Sequence, residues 1–262
     1  FPNGSDIFVS RFSADGSQLL ASTYVGGSGN DGLNYYPHFN SGNNPYAVIM
    51  GGNDSLYYNY GDGARGELIT DNLNNVYVGS TTMSADFPTT TGCVQPASGG
   101  KQDGVVFKLD HNMKNMLWCT YLGGSGNDAV YSIDVDTAYN LLACGGTCSA
   151  NFPVTDSTWQ HSYGGGTADG FVSKISYSGD RLMASTYVGD QSYDQLYFIR
   201  TGRRDEVFLF GQTKPLGHTT FIHNAGYSVY NSGMLLMRMT PDLRGRVWST
   251  LFGTPGRINL SP

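Results

Sequence analysis

The chain has 262 residues and a net charge of −6, so it can hold one large or two small domains and lacks the basic excess of a nucleic-acid surface. Gly accounts for 36 residues, Tyr for 18 and Phe for 13, while charged residues make up 14%, against ~25% in an average domain. That mixture suits short strands joined by tight turns. No stretch of a dozen residues repeats apolar side chains at helical spacing, and no apolar run approaches the ~20 residues that cross a membrane.

Residues 1–32 open with FPNGSD, without an initiator Met or a charged-then-apolar leader, which reads as a mature form or a fragment. Two strand candidates follow, DIFVSRF (6–12) and the apolar head of STYVGGSGND (22–31). Residues 33–65 then break the pattern. Tyr35, Tyr36, Tyr46, Tyr57, Tyr58 and Tyr60 crowd into this segment among Gly, Asn and Ser, the vocabulary of adaptable contact surfaces. AVIM, GGND and SLYYNY within it read as a hairpin, either a docking or glycan-binding surface or an extra element packed on the rest.

Residues 66–128 hold four strand candidates in a row: GELITD (66–71), VYVGST (76–81), GVVFKL (104–109) and MLWCTYL (116–122). Asn72, Asn74 and Asn75 supply the first turn, a long polar loop with Phe87-Pro88 and Gly99-Gly100 the second, and residues 110–114 the third. Residues 129–194 repeat the plan with LACGGT, SANFPVT, DGFVSKI and STYVGDQSYD. Residues 195–262 repeat it again with FLFGQT, GMLLMRM and STLFGTPGRI.

The unit is thus about 65 residues long and occurs about three and a half times, the first copy being a half-unit. Four antiparallel strands per repeat are the signature of a β-propeller blade, whose two apolar faces must each pack on a neighbouring blade. The expected fold is therefore all-β. It has a half-blade (1–32), an insertion (33–65) and three blades (66–128, 129–194, 195–262), with strands inside 66–122, 129–188 and 195–252 and almost no helix. Thr23, Thr120, Thr186 and Thr250 share one position. Gly79, Gly145 and Gly211 are aligned in strand two, where a side chain would block a neighbour. Arg11, Lys108, Lys174 and Arg238 share a strand-three position, expected to pair locally with aromatic rings or carboxylates rather than to form a ring of cations around an anion.

The GGSGND strings, the DxFVxK strand and the SxDFPxT loop, recurring in order, resemble the bacterial SBBP-type β-propeller repeat family over nearly the whole chain outside residues 33–65 and 214–230. The resemblance implies a propeller in secreted or cell-surface bacterial proteins, often type IX secretion substrates, with no catalytic residues to carry over. The last unit departs from the pattern. Lys214-Pro215-Leu216 stands where a DFP loop is expected, and STLFGTPGRI has lost its acid.

Candidate chemistry is sparse. Asp31, Asp128 and Asp194 close the GGSGND-like loops, but one acid and one Asn per copy fall short of the six to eight oxygens that Ca2+ takes, so a capped turn is expected. Asp134, Asp136 and Asn140 read as a hairpin turn. Cys93, Cys119, Cys144 and Cys148 read as buried or free thiols, or as one disulfide between Cys93 and Cys148. The five histidines are scattered, and no GxSxG, P-loop or HExxH motif is present.

The expected function is a non-catalytic module of an exported protein, a surface scaffold or a platform for protein, glycan or adhesive contacts, without catalytic residues, cofactor, nucleic-acid partner or membrane span. The alternatives are a propeller enzyme or lectin acting on polysaccharide, and a subunit of a secretion or surface-motility complex. Residues 6–25 supply only the third and fourth strands of a blade, and the ten residues after Phe252 are too few for two more. The chain is therefore expected to be an open arc whose end faces need covering by further blades, a partner chain or the 33–65 segment.

Overall fold

A computed structural model describes residues 4–34, 38–39, 48–49, 56, 66–214, 217 and 219–256. The described residues contain strands and turns and no helix. An N-terminal two-stranded sheet, β1 (Ile7–Phe12) and β2 (Leu19–Val25), comes first. The short strands β3 (His38–Phe39) and β4 (Val48–Ile49) pair antiparallel. The SLYYNY half of the expected hairpin lies outside the described residues, apart from Leu56.

Three four-stranded antiparallel sheets of consecutive strands follow. The second sheet holds β5 (Glu67–Thr70), β6 (Val76–Thr82), β7 (Asp103–Leu109) and β8 (Met116–Leu122). The third holds β9 (Asp128–Val135), β10 (Leu141–Thr147), β11 (Asp169–Ile175) and β12 (Leu182–Val188). The fourth holds β13 (Asp194–Thr201), β14 (Val207–Thr213), β15 (Met234–Met239) and β16 (Arg246–Phe252). Each is a blade-like meander.

Repeat-by-repeat register is tight. The β1–β2, β7–β8, β11–β12 and β15–β16 ladders each shift by one residue, immediately after Arg11, Lys108, Lys174 and Arg238 respectively. The turn that follows each third strand uses one positive-φ position, filled by Gly16, Met113, Gly179 and Leu243. The turn between the first and second strands does the same with Asn74, Tyr139 and Asp205. Asn and Asp tolerate that region at small cost; Met and Leu do not, and here the buried side chains of Met113 and Leu243 hold the backbone in place.

The core lies between sheets, not within them. Val9 and Val25 of the first sheet pack on Val105, Phe107, Cys119 and Tyr121 of the second. Val106, Trp118 and Leu122 pack on Ile133, Ala143, Phe171 and Tyr187 of the third. Val172, Ala184 and Val188 pack on Leu209, Leu235, Met237 and Leu251 of the fourth. Each four-stranded sheet thus has a leading face, turned to the sheet before it, and a trailing face, turned to the sheet after it.

The register corrects one alignment. Gly79 pairs with Val106, whereas Cys144 pairs with Val172 and Phe210 with Leu236, so Gly79 corresponds to Cys144 and Phe210, not to Gly145 and Gly211. The two kinds of glycine also answer to different contacts. A Cβ on Gly79 would sit 2.6 Å from Ile133 Cγ2 of the next sheet. A Cβ on Gly145 or Gly211 would overlap the carbonyl oxygen of Ala129 or Gln195 in the adjacent strand of the same sheet. The reason is a bulge: β9 and β13 each carry one extra residue, Tyr131 and Tyr197, opposite these glycines, which pushes the strand backbone inward. The second sheet has no such shift in its β5–β6 ladder, and Ser80 stands at that position.

Candidate interaction surfaces

The recurring motifs are docking devices. The Tyr121 hydroxyl donates to the Ser84 carbonyl (2.7 Å) and accepts from the Phe87 amide (2.8 Å), pinning the SADFP loop to its own sheet. Tyr187 does the same to SANFP, donating to the Ser149 carbonyl (2.8 Å) and accepting from the Phe152 amide (3.0 Å). Further along each loop, the Gln95 amide donates to Thr120 Oγ1 (2.7 Å) and the Gln160 amide to Thr186 Oγ1 (2.8 Å). The pinned loops then receive the GGSGND turn of the preceding sheet. Ser28 N donates to Asp86 Oδ1 (2.8 Å) and Gly29 N to Ser84 Oγ (2.8 Å). At the next junction Ser125 N donates to Asn151 Oδ1 (2.9 Å) and Gly126 N to Ser149 Oγ (2.8 Å). One motif thus requires the other.

Asp31, Asp128 and Asp194 lie buried at the base of these turns. Asp31 accepts from Thr82 Oγ1, Ser84 Oγ (2.9 Å) and Gly27 N (2.8 Å). Asp128 accepts from Gly124 N (2.7 Å) and Ser149 Oγ (2.7 Å), and Asp194 from Asp190 N (2.8 Å) and Ser192 Oγ (3.2 Å). Burial pushes all three carboxyls up, Asp128 to about 6. Burial also raises Asp103, and Asp169 to about 7, at the head of the third strands. Each carboxyl accepts from at least one N–H or O–H donor, but one buried oxygen of each of Asp103, Asp128 and Asp169 has no hydrogen-bond partner. Among the described residues no group of three His, Cys, Asp or Glu is placed to hold a metal ion.

Asp136 closes the hairpin between β9 and β10, accepting from Ala138 N (2.9 Å), Asn140 N (2.8 Å) and Asn140 Nδ2 (2.9 Å); Asp71 does the same with Leu73 and Asn75. Asp134 instead accepts from Thr201 N (2.7 Å) on the fourth sheet. The hairpin acids hold the repeated cations. Lys108 Nζ lies 3.5 Å from Asp71 and Lys174 Nζ 2.7 Å from Asp136, while Arg238 pairs with Glu206 at 2.7 Å. Burial raises the carboxyls of Asp71 and Asp136, but for Asp71 the Asn75 hydrogen bonds, and for Asp136 those from Lys174 and Asn140, outweigh it and hold both low.

Three of the four repeated cations also cross to the next sheet, each to the turn after its third strand. Arg11 donates to the His111 carbonyl (2.7 Å), Lys108 lies 3.6 Å from the Tyr177 ring centroid, and Lys174 lies 3.5 Å from the Pro241 carbonyl. Arg11 is the exception to the expected local pairing: its partner is a backbone carbonyl. The four positions do not converge on one pocket.

The four cysteines are free thiols, Cys119 and Cys144 buried, and the alternative Cys93–Cys148 bridge is not formed. Cys148 packs instead against a buried cluster of Leu56, Tyr131, Tyr193 and Tyr197. The bulge residues Tyr131 and Tyr197 stack there with ring centroids 5.6 Å apart. Asn34 Nδ2 reaches Tyr131 (3.1 Å), and Gln102 donates to Asn34. Beside the cluster, Glu67 of the second sheet pairs with Arg200 of the fourth at 2.7 Å and accepts from Ile133 N (2.8 Å) of the third. Burial raises the Glu67 carboxyl, but the bonds from Arg200, Ser132 and Ile133 outweigh it and hold it low. Three first strands therefore meet at one point. Apart from the equivalent bulge residues Tyr131 and Tyr197, these central residues do not repeat, which is why motif reading passes over them; the extra residue in β9 and β13 was the available signal. Tyr35, Tyr36, Tyr46, Tyr57, Tyr58 and Tyr60 lie outside the described residues.

Two surfaces remain at the ends. On the leading face of the first sheet, Phe8 is 68% exposed and Phe12 57%, whereas their counterparts Val105 and Leu109 are 0% and 3% exposed. On the trailing face of the fourth sheet, Phe210, Leu236 and Phe252 are half-buried, whereas Cys144, Val172 and Val188 at the same positions are fully buried. A cavity of ≈ 370 Å3 also opens along β1, lined by Ile7, Val9, Asp31, Glu67 and Gly79.

No protein-family model matches this chain, and no curated protein sequence matches it significantly.

Proposed function

We propose that the chain is an arc of an SBBP-type β-propeller, a non-catalytic module of an exported bacterial protein that serves at the cell surface as a scaffold and contact platform for protein or glycan. The observation that carries this reading is the use made of the repeated motifs. Tyr121 and Tyr187 clamp the SxDFP and SxNFP loops, and those loops receive the GGSGND turns of neighbouring sheets. The repeated residues are spent on joining blades, as a scaffold requires.

Fractionation of cells that make the protein tests the location. The module is expected in the medium or on the surface, and retention in the cytosol overturns the reading. A panel of polysaccharides, assayed for release of reducing ends, tests the chemistry. No turnover above the blank is expected; turnover that survives repurification replaces the scaffold with a glycan-processing enzyme.

A further inference from the structure

We propose that Cys93 and Cys119 form a disulfide site, at which a disulfide donor oxidises the two thiols to a bond that staples the SADFP loop to β8 of its own sheet. For the place where the donor is met, the inference rests on the exported location proposed above, since disulfides form and persist outside the reducing cytosol.

The backbone brings the two residues together on a third. Cys93 N donates to the Thr90 carbonyl (3.2 Å), Cys119 N donates to Thr90 Oγ1 (3.0 Å), and Thr90 N donates to the Cys119 carbonyl (3.1 Å). Cys119 is fully buried against the first sheet, while Cys93 is half-buried in the loop. Burial, and after it the neighbouring Cys93, push the Cys119 thiol up.

The third sheet shows what these two positions do. Thr155, Thr158 and Ser185 are the counterparts of Thr90, Cys93 and Cys119. The backbone bonds repeat: Thr155 N donates to the Ser185 carbonyl (3.0 Å), and Ser185 N to Thr155 Oγ1 (2.9 Å). Gly92 and Ser157, one residue before, share a positive φ of 78° and 65°. In that copy side-chain hydroxyls close the loop. Thr158 Oγ1 lies 3.0 Å from the Ser185 carbonyl and 2.8 Å from the Thr155 carbonyl, and Ser185 Oγ donates to the Pro153 carbonyl (2.6 Å). A thiol hydrogen-bonds weakly, so Cys at both positions gives up that closure. The two hydroxyls are exchanged for thiols in the same repeat, at positions that touch, and a bond between the sulfurs restores the closure covalently. The other two cysteines lie elsewhere: Cys144 packs with Val172 and Leu196, and Cys148 with the central tyrosines.

The chemistry is two thiol–disulfide exchanges. The more accessible Cys93, as thiolate, attacks one sulfur of the donor disulfide and expels the other as a thiol, leaving a mixed disulfide on Cys93. Cys119 then gives up its proton, attacks Cys93 Sγ and expels the second donor thiol. Two protein thiols are oxidised and one donor disulfide is reduced to two thiols. The raised Cys119 thiol makes the second exchange the slow one.

Oxidised glutathione, added to the folded, purified chain, is the probe. The thiol titre of the chain, read after denaturation, is expected to fall from four to two. Chymotrypsin, which can cut at Tyr121 and Tyr131 and so part Cys119 from Cys144, is expected to release a non-reduced fragment joining Cys93 to Cys119. A titre that stays at four, a glutathione adduct as the end product, or a link between any other pair overturns the proposal. Cys93→Thr with Cys119→Ser installs the residues of the third sheet and is expected to keep both remaining thiols under the same treatment; loss of those thiols overturns it as well. If that variant fails to fold, the fragment map of the unsubstituted chain decides. Proteolysis within 84–100 is expected to be at least about tenfold slower in the oxidised chain than in the reduced one, and equal rates overturn the stapling. The chain is oxidised outside any cell, so failure here leaves the exported location standing, and a cytosolic location leaves this chemistry standing.

Discussion

The third and fourth sheets share strand order, ladder register and the shift after the repeated cation, yet the fourth lacks the clamping tyrosine and the SANFP letters of the third. Tyr187 on β12 is matched by Leu251 on β16, so the hydroxyl that clamps SANFP is gone. The SxDFP letters are gone too, although the loop between β14 and β15 still docks on β16, where Ser249 Oγ donates to the Phe221 carbonyl (2.6 Å) and Val229 N to the Leu251 carbonyl (2.7 Å). The sheet still forms, because strand pairing needs only extended backbone and apolar alternation. The motifs are therefore signatures of junctions, and a repeat can lose them together once its junction changes.

Four sets of substitutions break or sharpen that comparison. The largest effect is expected at the cations. Lys108 and Asp71 are both 1% exposed, so Lys108→Met strands a buried carboxylate and should destabilise by about 3 kcal/mol or more. Arg238→Met, at a half-exposed pair on the fourth sheet, should cost below about 1 kcal/mol. Urea unfolding of the two variants measures both, and equal losses would show that the end sheet is as tightly joined as the interior ones.

Next comes the bulge. Gly145→Ala sets a methyl against the Ala129 carbonyl and should cost roughly 2–3 kcal/mol. Gly226→Ala, with open space around it, should leave the urea midpoint within about 0.5 kcal/mol of the parent.

Tyr187→Phe removes one bond to the Ser149 carbonyl and one from the Phe152 amide, an expected loss of about 2 kcal/mol, with faster proteolysis in the 149–155 loop. Leu251→Tyr should recover nothing, since no SxDFP loop awaits it. A stabilised Leu251→Tyr variant would show that the hydroxyl acts through something other than the loop.

A further comparison concerns pH. Asp128 and Asp169 are raised by burial, to about 6 and about 7, so the folded chain holds protons that the unfolded chain has released. Their contribution to stability is full below the ordinary carboxylate range and is lost as pH rises through 6 to 7. Unfolding free energy should therefore fall between pH 5 and pH 8, where the lowered carboxyls of Asp71 and Asp136 stay ionised throughout. Asp128→Asn should flatten the slope. An unchanged slope would assign the titration elsewhere.

Much of this was legible in the letters. STYVGGSGND and its copies place the fourth strands and the turns to the next sheet, and SADFPTT with SANFPVT places the loops that receive them. The partners were not legible. Nothing in the string says that Tyr121 clamps the loop of its own sheet while Ser28 holds the loop of the next one, since both lie in equivalent motifs. The glycine alignment shows the limit. VYVGST and LACGGT match by eye with their glycines superposed, but the ladders set Gly79 opposite Val106 and Cys144 opposite Val172.

What the sequence determined by itself is the repeat, the strands and the turn chemistry, because these depend on residues close together in the chain. Alternation, Asn and Gly act locally. Tertiary structure decided the rest. It placed Met113 and Leu243 at the positive-φ turn position where Gly16 and Gly179 also sit, a conformation no local preference would choose and which burial of the two side chains imposes. It brought Glu67, Ile133 and Arg200 together from three sheets. It also decided which faces are covered. Phe8 and Val105 read alike in sequence, yet Val105 is covered by the first sheet and fully buried, whereas no described sheet covers Phe8, which is 68% exposed.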